Sequence, residues 1–368
     1  MQPYKGNTPI IRVNSLWTNR SWEISIRDVE RKILEIIGRT GSGGIVQRDL
    51  QRILGLSKSW LSEVLSDLER RGLIVRMRGH GRSLVIMLPK YADPSVGRTI
   101  VLGIVPSVEY LPLSLVLKKL EDQGYRVEVS VRRSVAEIAV GLIRGEFHAA
   151  YLPIYSYAIL RSLGIDIRSL GPVALGGASI IGSNRSGEGD VYSSMFSTME
   201  VLAIAYLRSH GFRGFYSIRY YRDPEEAIES VSMNRSSVAM LWEPFSHIAE
   251  MRGLRRTPVS DIVGLYHCCI LAARGGIDAA VLSTIKRVHM ESIEELGRKI
   301  ELASEIFSRI IGIDRDIIKK TSKEYIYTHQ IDRSLIRNIT RTSTGFLINT
   351  EILEKAVDDE REIETRQL

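Results

Sequence analysis

Two cysteines in 368 residues, Cys268 and Cys269, leave no material for a disulfide framework or a four-ligand zinc cage. Long apolar runs are also missing: no stretch of about 18 apolar residues reads as a membrane span. The seven histidines are scattered, with no pair at metal-ligand spacing on one helix and no Ser-His-Asp set. The opening Met1-Gln2-Pro3-Tyr4-Lys5-Gly6-Asn7 lacks the charged-then-apolar plan of a secretory leader, so the expectation is a cytoplasmic protein with no membrane partner. No cofactor, metal or enzymatic activity is expected. At 44% hydrophobic and 25% charged residues, the composition excludes a disordered or fibrous chain, and the length suits two or three domains.

Positive charge is present in excess at one end only. Residues 1–95 hold 16 Lys+Arg against 9 Asp+Glu, whereas the other 273 residues hold 34 of each sign. Such asymmetry points to a polyanion partner for one module, the alternative being a chance fluctuation in a basic protein. Pro89-Lys90-Tyr91-Ala92-Asp93-Pro94 marks the boundary, with residues 90–98 as linker. The expected domains are 1–89 (core 28–88), 99–345, and a charged terminal segment, 346–368.

In the first module Val29, Ile33, Ile36 and Ile37 repeat at helical spacing after Asp28, taken as an N-cap. A second stripe runs Val46, Leu50, Ile53. A third helix, N-capped by Ser57, buries Leu61, Val64, Leu65 and Leu68, and Gly72 stops it. Apolar runs at Leu73–Arg78 and Ser83–Leu88 flank Gly79-His80-Gly81-Arg82, a hairpin signal. Helix, glycine turn and helix predict a helix-turn-helix whose third helix enters the major groove of double-stranded DNA. Lys58, Ser59, Ser62 and Ser66 form its outward face, short enough to approach base edges. Arg76, Arg78, His80 and Arg82 surround the hairpin tip, and Arg48 and Arg52 sit where phosphate contacts are usual. Trp60 is either a packing anchor or a base-stacking contact. A helical domain using its basic face for protein contacts is the structural alternative. The stretch GGIVQRDLQRILGLSKSWLSEVLSDLERRGLIVRMRGHGRSLVIMLP resembles the MarR-like winged helix-turn-helix common in archaeal regulators.

From Thr99 strands alternate with helices, which predicts a mostly parallel sheet covered on both faces and, after a strand near Val263–Ala272, helices nearly to the end. The segments LGIVPSVEYLPLSLVLKKLEDQGYRVEV, AEIAVGLIRGEFHAAYLP, STMEVLAIAYLRSHGF and AIESVSMNRSSVAMLWEPF resemble the type II periplasmic-binding-protein fold, in its branch for sulfonates, nitrate-like anions and thiamine-pyrimidine precursors. The fold class expected is therefore an α+β winged helix-turn-helix followed by an α/β two-lobed type II periplasmic-binding-protein-like domain.

Ligands of open sheets lie beyond strand carboxyl ends, at helix N-termini. Those positions carry Tyr110, Tyr151 and Trp242, rings able to sandwich a planar solute, with Glu109 and Glu243 as acceptors for its amino groups. Ser183, Asn184, Ser193, Ser194, Ser197 and Thr198 suit an anionic or carbonyl oxygen. Each has an ordinary alternative: half-buried packing for the rings, helix capping for the serines, solvated loops for the carboxylates. His267-Cys268-Cys269 reads as buried packing rather than a nucleophile.

The expected function is a ligand-responsive DNA-binding transcription regulator sensing a cytoplasmic metabolite, such as a thiamine-pyrimidine-like amino-heterocycle or a sulfonate. The alternatives are an enzyme like the thiamine-pyrimidine synthases the resemblance includes, and a constitutive DNA binder whose second domain only dimerises. A transport receptor is disfavoured by the DNA-reading module. A homodimer is expected through Leu16–Arg27 or Ile293–Ile310, where Ile293, Leu296, Ile300, Ala303 and Ile306 approach a heptad seam; the alternative is a helix packed on its own lobe.

Overall fold

The computed structural model describes residues 26–79, 83–182, 189–209 and 217–336, and the chain divides between Gly97 and Arg98 into two units. In the first, α1 (Ile26–Thr40), β1 (Ile45–Val46), α2 (Gln47–Leu54) and α3 (Lys58–Arg70) are followed by the hairpin β2 (Val75–Arg78) and β3 (Leu84–Met87), then the single turn α4 (Pro94–Gly97). The helices pack because each concentrates its apolar residues on one face: Val29, Ile33 and Ile37 of α1, Leu50 of α2, and Leu61, Val64, Leu65 and Leu68 of α3 are all buried. β3 lies between β1 and β2 in an antiparallel sheet. Gly55, left-handed at φ 64°, closes α2, and the Ser57 hydroxyl caps α3 by accepting from the Trp60 N–H at 3.3 Å.

Two local expectations change. α1 already includes Ile26, so Asp28 lies inside its first turn, paired with Arg31, rather than at its cap. Ile53 is 61% exposed, because the short α2 buries only Leu50. Residues 89–97 form two helical turns, with Ala92 buried against Val75 and Met87.

The second unit holds, in chain order, β4 (Thr99–Ile104), α5 (Leu113–Asp122), β5 (Arg126–Val131), α6 (Val135–Ile143), β6 (Ala149–Pro153), α7 (Ile154–Ser162), β7 (Ile167–Pro172), β8 (Ala174–Gly176), β9 (Ala178–Ile181), β10 (Val191–Ser193), α8 (Thr198–Ser209), β11 (Ile218–Tyr220), α9 (Pro224–Met233), β12 (Val238–Trp242), α10 (Phe245–Met251), β13 (Arg256–Pro258), α11 (Ser260–Val263) and β14 (Cys269–Arg274). α12 (Ala279–Glu295), α13 (Ile300–Ile311), α14 (Arg315–Thr321) and β15 (Tyr325–Tyr327) complete it. Two five-stranded sheets form, in the orders β5-β4-β6-β14-β7 and β11-β10-β12-β9-β13, and they define two lobes. The chain leaves the first lobe through β8 and β9 and returns on β14.

That double crossing corrects the expected mostly parallel sheet. β4 pairs in parallel with β5 and β6, but β14 arrives from the other lobe and runs antiparallel to both β6 and β7. The second sheet is mixed in the same way, with β9 antiparallel to β12 and β13. The strand predicted near Val263–Ala272 is β14, Cys269–Arg274, preceded by the turn α11.

The supposed heptad seam is internal and interrupted. A 3-10 turn at Leu296–Lys299 separates α12 from α13, Ile293, Leu296 and Ala303 are buried, and the Ala303 carbonyl accepts from Ser114 Oγ of α5. The other interface segment, Leu16–Arg27, lies outside the described residues except for its last two, as does the terminal segment 346–368.

Leu65→Ala, at a fully buried site of α3, is expected to destabilise the first unit by about 2–5 kcal/mol. Hydrogen exchange should accelerate at amides of α1–α3 while those of β4 and β14 keep their protection.

Candidate functional site

The outward face of α3 is more mixed in charge than short serines suggest. Ser59, Ser62 and Ser66 share a shallow groove with Glu63, Asp67 and Arg70. Ser66 Oγ donates to the Ser62 carbonyl at 2.8 Å and receives Arg76 Nη2 at 3.2 Å, so its hydroxyl is engaged within the unit. Arg76 is likewise taken: its Nε donates to Glu69 Oε2 at 2.8 Å and its side chain is only 19% exposed, which corrects its assignment as a phosphate contact. Arg52 pairs loosely with Asp49 at 3.5 Å. Arg48, Lys58 and Arg78 are exposed, and no described acidic side chain pairs with them. Trp60 is half-buried against the helical core, which favours its packing role. His80 and Arg82 lie outside the described residues.

In the second unit the lobes meet around a cavity of about 20 Å³, room for roughly one water-sized occupant. From the first lobe come Glu109 and Tyr110, on the turn after β4, and Cys268 and Cys269, where the chain enters β14. The second lobe contributes Ser197 and Thr198 at the start of α8, and Trp242 at the end of β12. Hydrogen bonds join the two sides: Trp242 Nε1 donates to the Pro106 carbonyl at 3.0 Å, the Val108 N–H to the Glu243 carbonyl at 3.0 Å, and Thr198 Oγ1 to the Cys268 carbonyl at 3.1 Å. Phe196, beside α8, has φ 57°, a strained conformation for a side chain of that size, and its carbonyl accepts from Ser156 of α7.

The electrostatics centre on Glu109. Its carboxyl accepts from the Cys269 N–H at 3.0 Å and is 1% exposed. Burial pushes it up to about 7, against the pull of hydrogen bonds from the two cysteines. The Cys268 and Cys269 sulfurs are 3.4 Å apart, and Tyr110 Oη is 3.3 Å from Cys269 Sγ. Burial holds the Cys269 thiol well above its usual range. Among the described residues, Glu109, Cys268 and Cys269 form a group of metal-ligand type, their donor atoms within 4.8 Å of one another.

Of the ligand residues expected from sequence, the fold gathers Glu109, Tyr110, Ser197, Thr198 and Trp242 at one cavity. Tyr151 lies behind it, stacked on Tyr110 with ring centres 4.8 Å apart. Ser193 and Ser194 are buried away from the cavity wall. Glu243 requires correction: it is fully buried, but against Arg256 at 2.6 Å, Ser246 and the His247 N–H, rather than towards a ligand. Ser183 and Asn184 lie outside the described residues. His267, Cys268 and Cys269 are buried, as the packing reading expects, and the fold sets the two cysteines against Glu109, which their sequence positions do not show. His267 stands apart from the pair, its Nε2 accepting from the Asp332 N–H at 2.8 Å.

A family model described as the B-block binding subunit of TFIIIC matches residues 27–94. No curated protein matches the chain in sequence. Among solved structures, the second unit is similar to the ligand-binding component of an ABC-type import system from Staphylococcus aureus with zinc bound (17% identity, TM-score 0.58, 70% of this chain and 98% of that one). It is similar also to the periplasmic nitrate-binding protein NrtA from Synechocystis PCC 6803 (14%, 0.58, 73% and 89%) and to the periplasmic aliphatic sulphonate binding protein SsuA from Escherichia coli (11%, 0.54, 67% and 85%). At these identities the likeness is one of fold: the second unit has a periplasmic-binding-protein fold.

Glu109 makes a signed pH prediction. The folded chain keeps this proton up to about pH 7, while the unfolded chain gives it up near the ordinary 4.5. Its stabilising contribution is therefore complete below pH 4.5 and is lost as pH rises through 7. The loss should be on the order of 3 kcal/mol. Urea titrations at pH 4.5 and 8 should show that decline in the parent chain and not in Glu109→Gln.

Proposed function

We propose that this chain is a ligand-responsive DNA-binding transcription regulator, in which the first unit grips double-stranded DNA and the second closes on a small effector. Binding, not catalysis, is its role. The observation that carries this reading is the pairing, in one chain, of a unit matching the TFIIIC B-block-binding family with a two-lobed fold shut over an internal cavity.

The order helix, strand, helix, helix, hairpin supports reading the first unit as a winged helix-turn-helix, MarR-like in its sequence, with α3 as the recognition helix. Lys58 at its start, with Ser59 and Ser62, faces the bases. Arg48 and Arg78, exposed and unpaired by described residues, meet phosphates. One such unit reads a short site, so a homodimer gives the specificity a regulator needs. The protein works in the cytoplasm, where its DNA is; among the described residues no helix is long and apolar enough to cross a membrane.

Coupling follows from the lobe contacts. An effector that prefers the closed arrangement stabilises the Trp242–Pro106 and Val108–Glu243 bonds, and only that preference can shift DNA affinity.

The test is fluorescence anisotropy with labelled duplex DNA across a salt series. The parent chain should bind in dilute buffer, and Arg48→Ala and Arg78→Ala should each flatten the log–log salt slope by about 0.9. Absence of duplex binding even at low salt overturns the reading. Trp242→Ala should keep duplex affinity and lose its response to effector.

A further inference from the structure

We propose that the cavity between the lobes is a site for one soft, thiol-seeking metal ion, held by Cys268 Sγ, Cys269 Sγ and the Glu109 carboxylate. This rests on the reading of the cleft as an effector site and names the chemical class of the effector.

Charge argues first. Among the described residues lining the cavity there is no lysine, arginine or histidine, so an anion taken into it would meet no counter-charge. Two of the amides at the start of α8, which could otherwise help cradle an oxyanion, are already used: Ser197 Oγ accepts the Met199 N–H at 3.1 Å and the Ser197 carbonyl accepts the Glu200 N–H at 3.2 Å. The wall instead holds three acidic groups, each able to trade its proton for a cation.

Geometry narrows the cation. The three donor atoms lie within 4.8 Å of one another. Two sulfurs bound to one ion can be no more than about 4.6 Å apart, twice a metal–sulfur bond of about 2.3 Å. The observed 3.4 Å is within that limit and gives a bent bite. Two sulfurs and one carboxylate suit Cu(I) or Zn(II) and are too few and too soft for calcium or magnesium, which take six or more oxygens. Size agrees: a cavity of about 20 Å³ in this arrangement has room for a single ion.

The ligands are held in place beforehand. The Cys269 N–H fixes the Glu109 carboxyl at 3.0 Å, and Tyr110 Oη lies 3.3 Å from Cys269 Sγ, where it can donate to a thiolate. On entry of the ion, each thiol gives up its S–H proton and the carboxyl its O–H proton, so uptake releases protons to solvent. The ion also ties the Glu109 turn to the start of β14. The neighbouring residue of that turn, Val108, bonds the second lobe through the Glu243 carbonyl. Occupancy is thereby linked to lobe closure.

The experiment uses the full-length reduced chain under anaerobic conditions, titrated with Cu(I) and separately with Zn(II) against a chromophoric chelator. Thiolate-to-metal absorbance and proton release in weak buffer are followed together. One equivalent of Cu(I) or Zn(II) should bind with release of protons. Cys268→Ser/Cys269→Ser should bind neither, and Glu109→Gln should bind at least about tenfold more weakly. Unchanged near-ultraviolet circular dichroism in the variants verifies that they fold, and Cys268→Ser alone provides a milder probe should the double variant not. Failure of the parent chain to bind either ion, or undiminished binding by both serine variants, overturns the proposal. The regulator reading is scored separately on duplex binding. Duplex binding without metal uptake sinks the metal site alone, and metal uptake without duplex binding sinks the regulator alone.

Discussion

A carboxyl group held out of water, with no cation beside it among the described residues, is the constraint around which the cavity of the second unit is built. Glu109 is 1% exposed and its fixed partner is an N–H of Cys269, and burial raises its carboxyl to about 7, so it is protonated in mildly acidic solution and ionises around neutral pH. The surroundings follow from that. Trp242 of the opposite lobe lies over the cavity, the cysteine sulfurs and Tyr110 provide polarisable neighbours, and on the far wall Ser197 takes the Met199 and Glu200 amides. Elsewhere in the same unit the opposite solution is used: Glu243 is equally buried and is answered by Arg256 at 2.6 Å. The contrast is between a carboxylate braced by an arginine and a carboxyl held by a backbone N–H.

The two lobes communicate through few but specific contacts. Backbone groups make some of them, as between Val108 and Glu243, and side-chain donors meet backbone carbonyls at Trp242, Thr198 and Ser156. None of these donors is charged, so salt screens these bonds little.

Much of this architecture is legible in the residues. Helical stripes such as Leu61, Val64, Leu65 and Leu68 can be read because burial on one face leaves a 3.6-residue period, and Ser57 marks its helix start because few residues cap as well. Strand direction is not legible in this way. The sense of β14 depends on the chain having passed through a second lobe first, and nothing in the Cys269–Arg274 segment records that. At the site, Glu109, Tyr110, Ser197, Thr198 and Trp242 follow from their places at strand ends and helix starts. Glu243 misleads because it is one residue past Trp242 and its partner Arg256 comes from a later strand. Arg76 misleads similarly: its charge is visible in the sequence, whereas its capture by Glu69 depends on the hairpin folding back on α3. The cysteine pair is buried as its packing reading expects, and its nearness to Glu109 is visible only in the fold.

The place of β14 between β6 and β7 has a consequence for how the protein is made. On the ribosome the three helices and hairpin of the first unit emerge together and have every local partner they need. β6 and β7 emerge early as well, but the strand that joins them is translated only after the whole second lobe. Until then both offer open hydrogen-bonding edges to any passing chain. The first sheet therefore closes only late in synthesis, and the first unit is complete well before the second.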